Sequence, residues 1–178
     1  MSTLILIRHC ATSGQAPDSE LTQAGVVAAR DLADRLTLLS PDAVYSSPFR
    51  RAIDTVAPFA HRAALPTVLN DRLRERLLAD RDLDDWLSHV RRSFDDRDYA
   101  GPGGESHAVV GDRALAALNE IAQRGHRLPV VASHGNLIAV VLRSRDPTFG
   151  FDEWRVLRNS ELFKLTFSTA GLTAWRRL

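Results

Sequence analysis

The sequence predicts an α/β protein, a three-layer α/β/α sandwich around a mostly parallel central sheet. Short apolar runs rich in β-branched residues recur along the chain, and longer stretches with apolar residues at helical spacing separate them. Three of the runs end in polar residues suited to binding an anion, as parallel strands do at the ligand-binding edge of an open sheet. The length of 178 residues suits one well-buried domain, 1–178, and is short for two.

The first run, Thr3-Leu4-Ile5-Leu6-Ile7, reads as a buried strand that delivers Arg8-His9 into the small and polar segment Cys10-Ala11-Thr12-Ser13-Gly14-Gln15. After a loop at 9–20, Thr22 is a natural N-cap for a helix carrying Val26, Val27, Ala29, Leu32, Ala33 and Leu36. Asp42 to Ser46 reads as a second strand, and Pro48 suits the first turn of a helix to about His61. Leu65 to Leu69 reads as a third strand. In the charged segment 76–100, Leu83, Trp86, Leu87, Val90 and Phe94 have amphipathic helical spacing, and Gly101-Pro102-Gly103-Gly104 breaks it. Helical periodicity returns from Ser106 to about Arg124. Leu128 to Ser133 reads as a fourth strand ending at His134-Gly135, 136–144 as a helix, and 160–168 with 171–177 as a terminal pair of strands around Ala170-Gly171.

Composition removes several function classes. The net charge is +1 with scattered basic residues, so neither a nucleic-acid stripe nor a membrane-binding face is expected, and a small molecule or a protein is the expected partner. Lys164 is the only lysine among the 23 basic residues and no Gly-x-x-x-x-Gly-Lys loop occurs, which disfavours P-loop and lysine Schiff-base chemistry. The single cysteine, Cys10, rules out an internal disulfide framework and fits a reducing compartment. The N-terminal apolar run is too short for a signal segment, and no segment is long enough for a transmembrane helix. The expectation is a cytoplasmic protein.

Parallel strands would bring Arg8-His9, Ser46-Ser47-Pro48-Phe49-Arg50-Arg51 and Ser133-His134-Gly135-Asn136 to one edge. Arginines, histidines and helix N-termini gathered there make a pocket for which phosphate is the natural occupant. Taken singly, a strand-end histidine is more often structural than functional. The remaining histidines, 61, 89, 107 and 126, show no metal-ligand spacing.

In these residues the chain resembles the histidine phosphatase superfamily, also called the phosphoglycerate mutase-like family. Arg8-His9-Cys10-Ala11-Thr12 corresponds to its Arg-His-Gly-x-Thr motif, and Leu21-Thr22-Gln23-Ala24-Gly25 to Leu-Thr-x-x-Gly. Residues 46–55 correspond to Ser-Ser-Pro-x-x-Arg-Ala-x-x-Thr, a register that selects Arg51 over Arg50 for phosphate. Leu73-Arg74-Glu75 matches Leu-x-Glu, Gly104-Glu105-Ser106 matches Gly-Glu-Ser, and His134-Gly135 matches the second histidine motif. The resemblance implies a nucleophilic His9 forming a phosphohistidine, phosphate binding by Arg8, Arg51, His134 and Thr12, and general acid work by Glu75, with no metal and no cofactor. The expected substrate is a small phosphorylated metabolite, and 76–104 is expected to form a small cap. Glu75, among Arg72, Arg74 and Arg76, also reads as an ordinary ion-pair partner, and Thr12 and Ser46 as turn residues. Trp86, Phe94 and Tyr99 read equally as pocket roof or as core. Oligomeric state stays open.

Cys10 stands where the family has glycine, Gln15 where many relatives have asparagine, and the Gly-x-Trp-Glu-Gly stretch common after the acid is replaced by Arg76-Leu77-Leu78-Ala79-Asp80. Two alternatives to hydrolysis follow from the same motifs: a phosphoglycerate mutase-type phosphoryl transferase, disfavoured by the short span between Glu75 and His134, and a noncatalytic phosphate-ligand sensor, disfavoured by retention of both histidines and Arg51. A cysteine-dependent phosphatase would need an arginine six residues after Cys10, and that position is Ala16. Cys10→Ser is therefore expected to retain turnover of an aryl phosphate. Near-complete loss together with a trapped thiophosphate would move the nucleophile from His9 to Cys10.

Overall fold

The computed structural model describes residues 1–178. Its six-stranded sheet has the order β3-β2-β4-β1-β5-β6, with β1 at Ser2–Arg8, β2 at Ala43–Ser46, β3 at Thr67–Leu69, β4 at Pro129–Ser133, β5 at Leu162–Ser168 and β6 at Gly171–Arg177. Strands β3, β2, β4 and β1 run parallel, whereas β5 and β6 are antiparallel additions beyond β1. Helices α1 (Gln23–Leu39) and α2 (Arg50–Arg62) flank the sheet on one face, and α4 (His107–Gln123) and α5 (Gly135–Arg143) on the other; α3 (Trp86–Asp95) and the short α6 (Phe151–Arg155) pack together.

The period-two alternation of β1 determines the layers. Leu4 and Leu6 enter the core beneath α4 and α5, and Ile5 and Ile7 enter the second core beneath α1 and α2. Tyr45 and Val44 divide the same way on β2, as do Val131 and Val130 on β4. Being buried on both faces, β1 and β4 need continuous apolar sequence, which is why they were legible as strands.

Register carries the site residues to one edge. Arg8 pairs with Ser133 and Ser46 with Ala132, so the chain leaves β1, β2 and β4 at one level. Backbone bonds past the strand ends lock that alignment, from His9 N–H to the Ser133 carbonyl at 2.9 Å and from Ser47 N–H to the Ala132 carbonyl at 3.0 Å.

Element boundaries depart from expectation where a local cap overrides the pattern. The third strand starts at Thr67 rather than Leu65, because Leu65 N–H still bonds the Ala60 carbonyl at 3.0 Å in the turn that ends α2, with Ala64 at φ 53°. The second helix begins at Arg50, and α5 begins at Gly135. Within 76–100 only Trp86–Asp95 is helical, capped by Asp85, whose carboxylate accepts the Ser88 N–H at 3.4 Å; Leu83 lies before it. The 3₁₀ turn Asp71–Leu73 and α6 are too short to show a period and were not anticipated.

Helix α1 is seated against the loop after β1. Thr22 N–H donates to the Ala11 carbonyl at 3.0 Å, and Thr22 Oγ1 caps the helix by accepting from Gly25 N–H at 3.0 Å. A Cβ on Gly25 would stand 2.1 Å from the Ala11 carbonyl oxygen. Gly25→Ala is therefore expected to lower stability by about 1–3 kcal/mol through backbone displacement, as overpacking does, read as the shift of a urea-unfolding midpoint, and to lower activity by moving the loop that holds His9.

Candidate active site

His9 emerges from β1 with its ring buried and its orientation fixed. Its Nδ1 lies 2.7 Å from the Cys10 carbonyl oxygen, which can only accept, so Nδ1 carries the hydrogen and Nε2 carries the lone pair. Cys10 N–H in turn donates to Thr55 Oγ1 at 2.8 Å, and Thr55 Oγ1 donates to the Arg51 carbonyl at 2.7 Å. The loop after β1 is thus tied to the first turns of α2.

His134 faces His9 with ring centroids 5.2 Å apart. Phe49 meets the His134 ring edge-on at 5.1 Å, and Ser47 Oγ lies 2.7 Å from its Nε2. His134 Nδ1 has no hydrogen-bond partner within the protein although it is fully buried.

The two arginines are held by backbone carbonyls. Arg51, almost wholly buried, donates from Nη1 to the carbonyls of Gln15 at 3.0 Å and Ala16 at 2.9 Å, and its guanidinium lies 5.0 Å from the Phe49 ring centroid. Arg8 donates from Nη1 to the Leu157 carbonyl. The Nε atoms of Arg8 and Arg51 are buried without a partner, like His134 Nδ1. At Gly135 a Cβ would lie 3.3 Å from Arg8 Cζ, so a glycine lets the guanidinium approach the first turn of α5.

Glu75 sits on that same helix start. Its Oε2 accepts from Asn136 N–H and its Oε1 from Leu137 N–H, both at 3.1 Å, and Oε1 also accepts from Arg76 N–H at 2.8 Å. A distant carboxylate thereby caps α5, which has no capping side chain of its own at His134. Arg113 of α4 clamps the segment that carries Glu75: Nη1 donates to the Arg72 and Arg74 carbonyls at 2.8 and 2.9 Å, and Nε and Nη2 form a two-point pair with Glu105 at 2.9 and 2.8 Å. Ser133 Oγ adds a bond to the Leu73 carbonyl at 2.9 Å.

Burial and the two guanidinium groups act together on the imidazoles. Desolvation, then Arg51 and Arg8, push His9 down to about 4 against the opposing bond to the Cys10 carbonyl. Burial, followed by His9 and the arginines, holds His134 well below its ordinary value. Burial also lowers Arg8 and Arg51, with Glu75 opposing in both. Both rings are neutral at pH 7, and positive charge resides on the arginines.

One buried and one half-buried guanidinium, two neutral imidazoles and a helix-capping carboxylate at the ends of parallel strands are a site for a phosphoryl group, and the family model of the histidine phosphatase superfamily (branch 1) matches residues 4–174. The chain belongs to the histidine phosphatase superfamily. A glucosyl-3-phosphoglycerate phosphatase of Mycolicibacterium vanbaalenii is 33% identical over 180 residues, covering 86% of this chain and 78% of that protein. A metal-independent phosphoserine phosphatase of Arabidopsis thaliana is 31% identical, covering 80% and 68%. The solved structure of a mycobacterial glucosyl-3-phosphoglycerate phosphatase with inorganic phosphate superposes with a TM-score of 0.78 at 26% identity, over 100% of this chain and 96% of that one.

Among this phosphatase's anticipated residues, Arg8, His9, Arg51, Glu75 and His134 gather in one place. Thr12 Oγ1 is taken up by the loop carbonyls of Glu20 at 2.9 Å and Gly14 at 3.2 Å. Arg50 is exposed and pairs with Glu20 and Asp54. Phe94 is core, Trp86 is half exposed against Trp154, and Tyr99 bonds His89, so none of the three is placed as a roof by a contact with the pocket residues. Ser47, Arg113 and the Leu157 carbonyl were not anticipated in these roles: Glu105 lies eight residues before Arg113 and ahead of α4, and carbonyl acceptors leave no signature in sequence.

Because His9 and His134 fold neutral, the unfolded chain binds protons first as pH falls below 6.5. Their stability contribution is complete above that value and drains as pH drops toward about 4, and buried His107, pushed down to about 3, extends the loss. Unfolding midpoints are expected to fall across this window, with His9→Asn reducing the slope by one proton; a flat profile between 6.5 and about 4 would contradict neutral burial.

Proposed function

We propose that His9 is the nucleophile of a metal-independent phosphomonoesterase acting on a small phosphorylated metabolite. The observation that carries this reading is the His9 Nδ1 bond to the Cys10 carbonyl, which leaves Nε2 with a free lone pair beside the unpartnered Nε atoms of Arg8 and Arg51 and Nδ1 of His134.

In the first step Nε2 attacks phosphorus, an N–P bond forms and the P–O bond to the substrate alcohol breaks. Arg8, Arg51 and His134 supply donors to the equatorial oxygens, where charge accumulates. The leaving oxygen takes its proton through Glu75. In the second step Glu75 as carboxylate accepts a proton from water, the water oxygen attacks phosphorus, and the N–P bond breaks to return neutral His9 and inorganic phosphate. The α5 N–H groups and the Arg113 clamp hold Glu75 beside His134. Thr12 supports this pocket by holding the loop whose Gln15 and Ala16 carbonyls grip Arg51.

The segment 76–104 forms the small cap, with α3 resting on α6. Hydrolysis is favoured over mutase-type transfer because this cap is short. The named activities of the relatives, on glucosyl-3-phosphoglycerate and phosphoserine, point to a phosphorylated hydroxy-acid or sugar derivative as the substrate class to screen first.

The test is phosphate release with chelator present. The parent is expected to turn over an aryl phosphate and His9→Ala to lose all activity, while Glu75→Gln is expected to lower alkyl-phosphate turnover by about 10²- to 10⁴-fold and aryl-phosphate turnover much less. Activity surviving in His9→Ala would remove the nucleophile assignment. Equal losses on both substrate types would remove the acid assignment.

A further inference from the structure

Ser47 is the one buried hydroxyl that touches a site imidazole, and its hydrogen-bond inventory is closed. Its Oγ accepts from Phe49 N–H at 3.2 Å and lies 2.7 Å from His134 Nε2; it makes no other bond and is fully buried. A serine hydroxyl has one hydrogen and two lone pairs. If His134 Nε2 carried the hydrogen, Ser47 Oγ would accept twice, and its own buried O–H would have no acceptor, a cost comparable to a lost hydrogen bond. If Ser47 O–H donates to the Nε2 lone pair, every polar atom of Ser47 is used.

The other ring nitrogen gives the same answer independently. His134 Nδ1 is buried, unpartnered, and on a ring confined between Phe49 and His9. A lone pair there would meet the negative oxygens of a phosphoryl group, whereas an N–H there donates to one of them. We infer that Ser47 is a positioning residue that holds His134 as the Nδ1–H tautomer, so that His134 serves the phosphoryl group as a neutral hydrogen-bond donor rather than as an imidazolium. The inference rests on the phosphatase reading of the site. The low proton affinity of His134 agrees with it, since burial, His9 and the arginines all disfavour the cation.

The arrangement complements His9. There a carbonyl acceptor places the hydrogen on Nδ1 and frees Nε2 for attack; here a hydroxyl donor occupies Nε2 and directs the hydrogen on Nδ1 to the pocket. Two chemically identical rings, 5.2 Å apart, are given opposite tasks by one oxygen neighbour each.

Nitrogen NMR of the isotope-labelled parent protein reads the tautomer directly, with no turnover needed. The expected His134 spectrum has a proton-bearing Nδ1 and a bare Nε2. A proton on Nε2, or on both nitrogens, at neutral pH would overturn the inference even in an active phosphatase; absent His9-dependent turnover with the expected tautomer would instead overturn the catalytic reading.

Ser47→Ala is expected to let the Nε2–H form appear and to lower kcat for an aryl phosphate by about 10- to 100-fold, the scale of losing a group that orients a histidine, with KM changing much less. A loss confined to KM, or an unchanged tautomer, would overturn it. In His134→Asn the amide nitrogen keeps its hydrogens near the Nδ1 position without help from Ser47, so adding Ser47→Ala to that variant is expected to cost no further kcat. Full additivity of the two losses would contradict the inference. Should Ser47→Ala fail to fold, the parent spectrum alone decides.

Discussion

Placing two guanidinium groups, that of Arg51 buried and that of Arg8 half-buried, beside two buried imidazoles is the constraint on which the rest of this structure depends. Charge taken from water is costly unless hydrogen-bonded or paired. The fold meets that cost chiefly with backbone carbonyls: Gln15 and Ala16 for Arg51, Leu157 for Arg8. Glu75 adds the only carboxylate acting on both. Carbonyl dipoles hold the cations in place without neutralising them, which leaves their field for a phosphoryl group. The loops at 9–20 and 156–161 are therefore parts of the site's electrostatics, and each is anchored back to the sheet, the first through His9 N–H on the Ser133 carbonyl at 2.9 Å and the second through Ser160 N–H on the Arg8 carbonyl at 3.1 Å.

The same field makes the histidines useful. A nucleophilic imidazole must be neutral, and in the proposed mechanism the arginines that stabilise the developing phosphoryl charge also repel a proton from His9. Binding and activation thus arise from one set of charges. Glu75 needs a separate solution because free attraction would draw it into an ion pair with Arg8 or Arg51. Three backbone N–H groups hold it instead, two of them from α5, and Arg113 fixes the segment it stands on. Glu105 completes that clamp by pairing with Arg113 and by accepting Leu77 N–H at 3.0 Å, which ties the base of the 76–104 segment to the stretch that carries Glu75.

Much of this was legible in sequence for a physical reason. Strands buried on both faces must be apolar throughout, so β1 and β4 stood out, and the parallel topology then required their polar ends to meet. The register of the family motif over 46–55 pointed to Arg51 over Arg50, and the structure buries the first and exposes the second, since consecutive residues on a helix cannot face the same way. What stayed hidden falls into two kinds. Short elements such as α6 have no period to detect, and the strand expected from Leu65 lost its first residues to the turn that ends α2. The other kind is function carried by main chain, as with the carbonyls that hold Arg8, Arg51 and His9.

Cys10 shows why the second kind matters. It stands where the motif of the resembled family has glycine, and by side-chain chemistry it looks like a change beside the proposed nucleophile. Its contribution to the site is nevertheless its backbone, an N–H given to Thr55 and a carbonyl that receives His9 Nδ1. The side chain itself is fully buried, with burial pushing its thiol up rather than toward a reactive thiolate. A position that acts through its amide and carbonyl admits any side chain that the neighbouring packing can enclose without rotating those groups. The bond that sets the His9 tautomer is made by the Cys10 carbonyl and not by its thiol, so it survives a change of side chain that leaves that carbonyl in place.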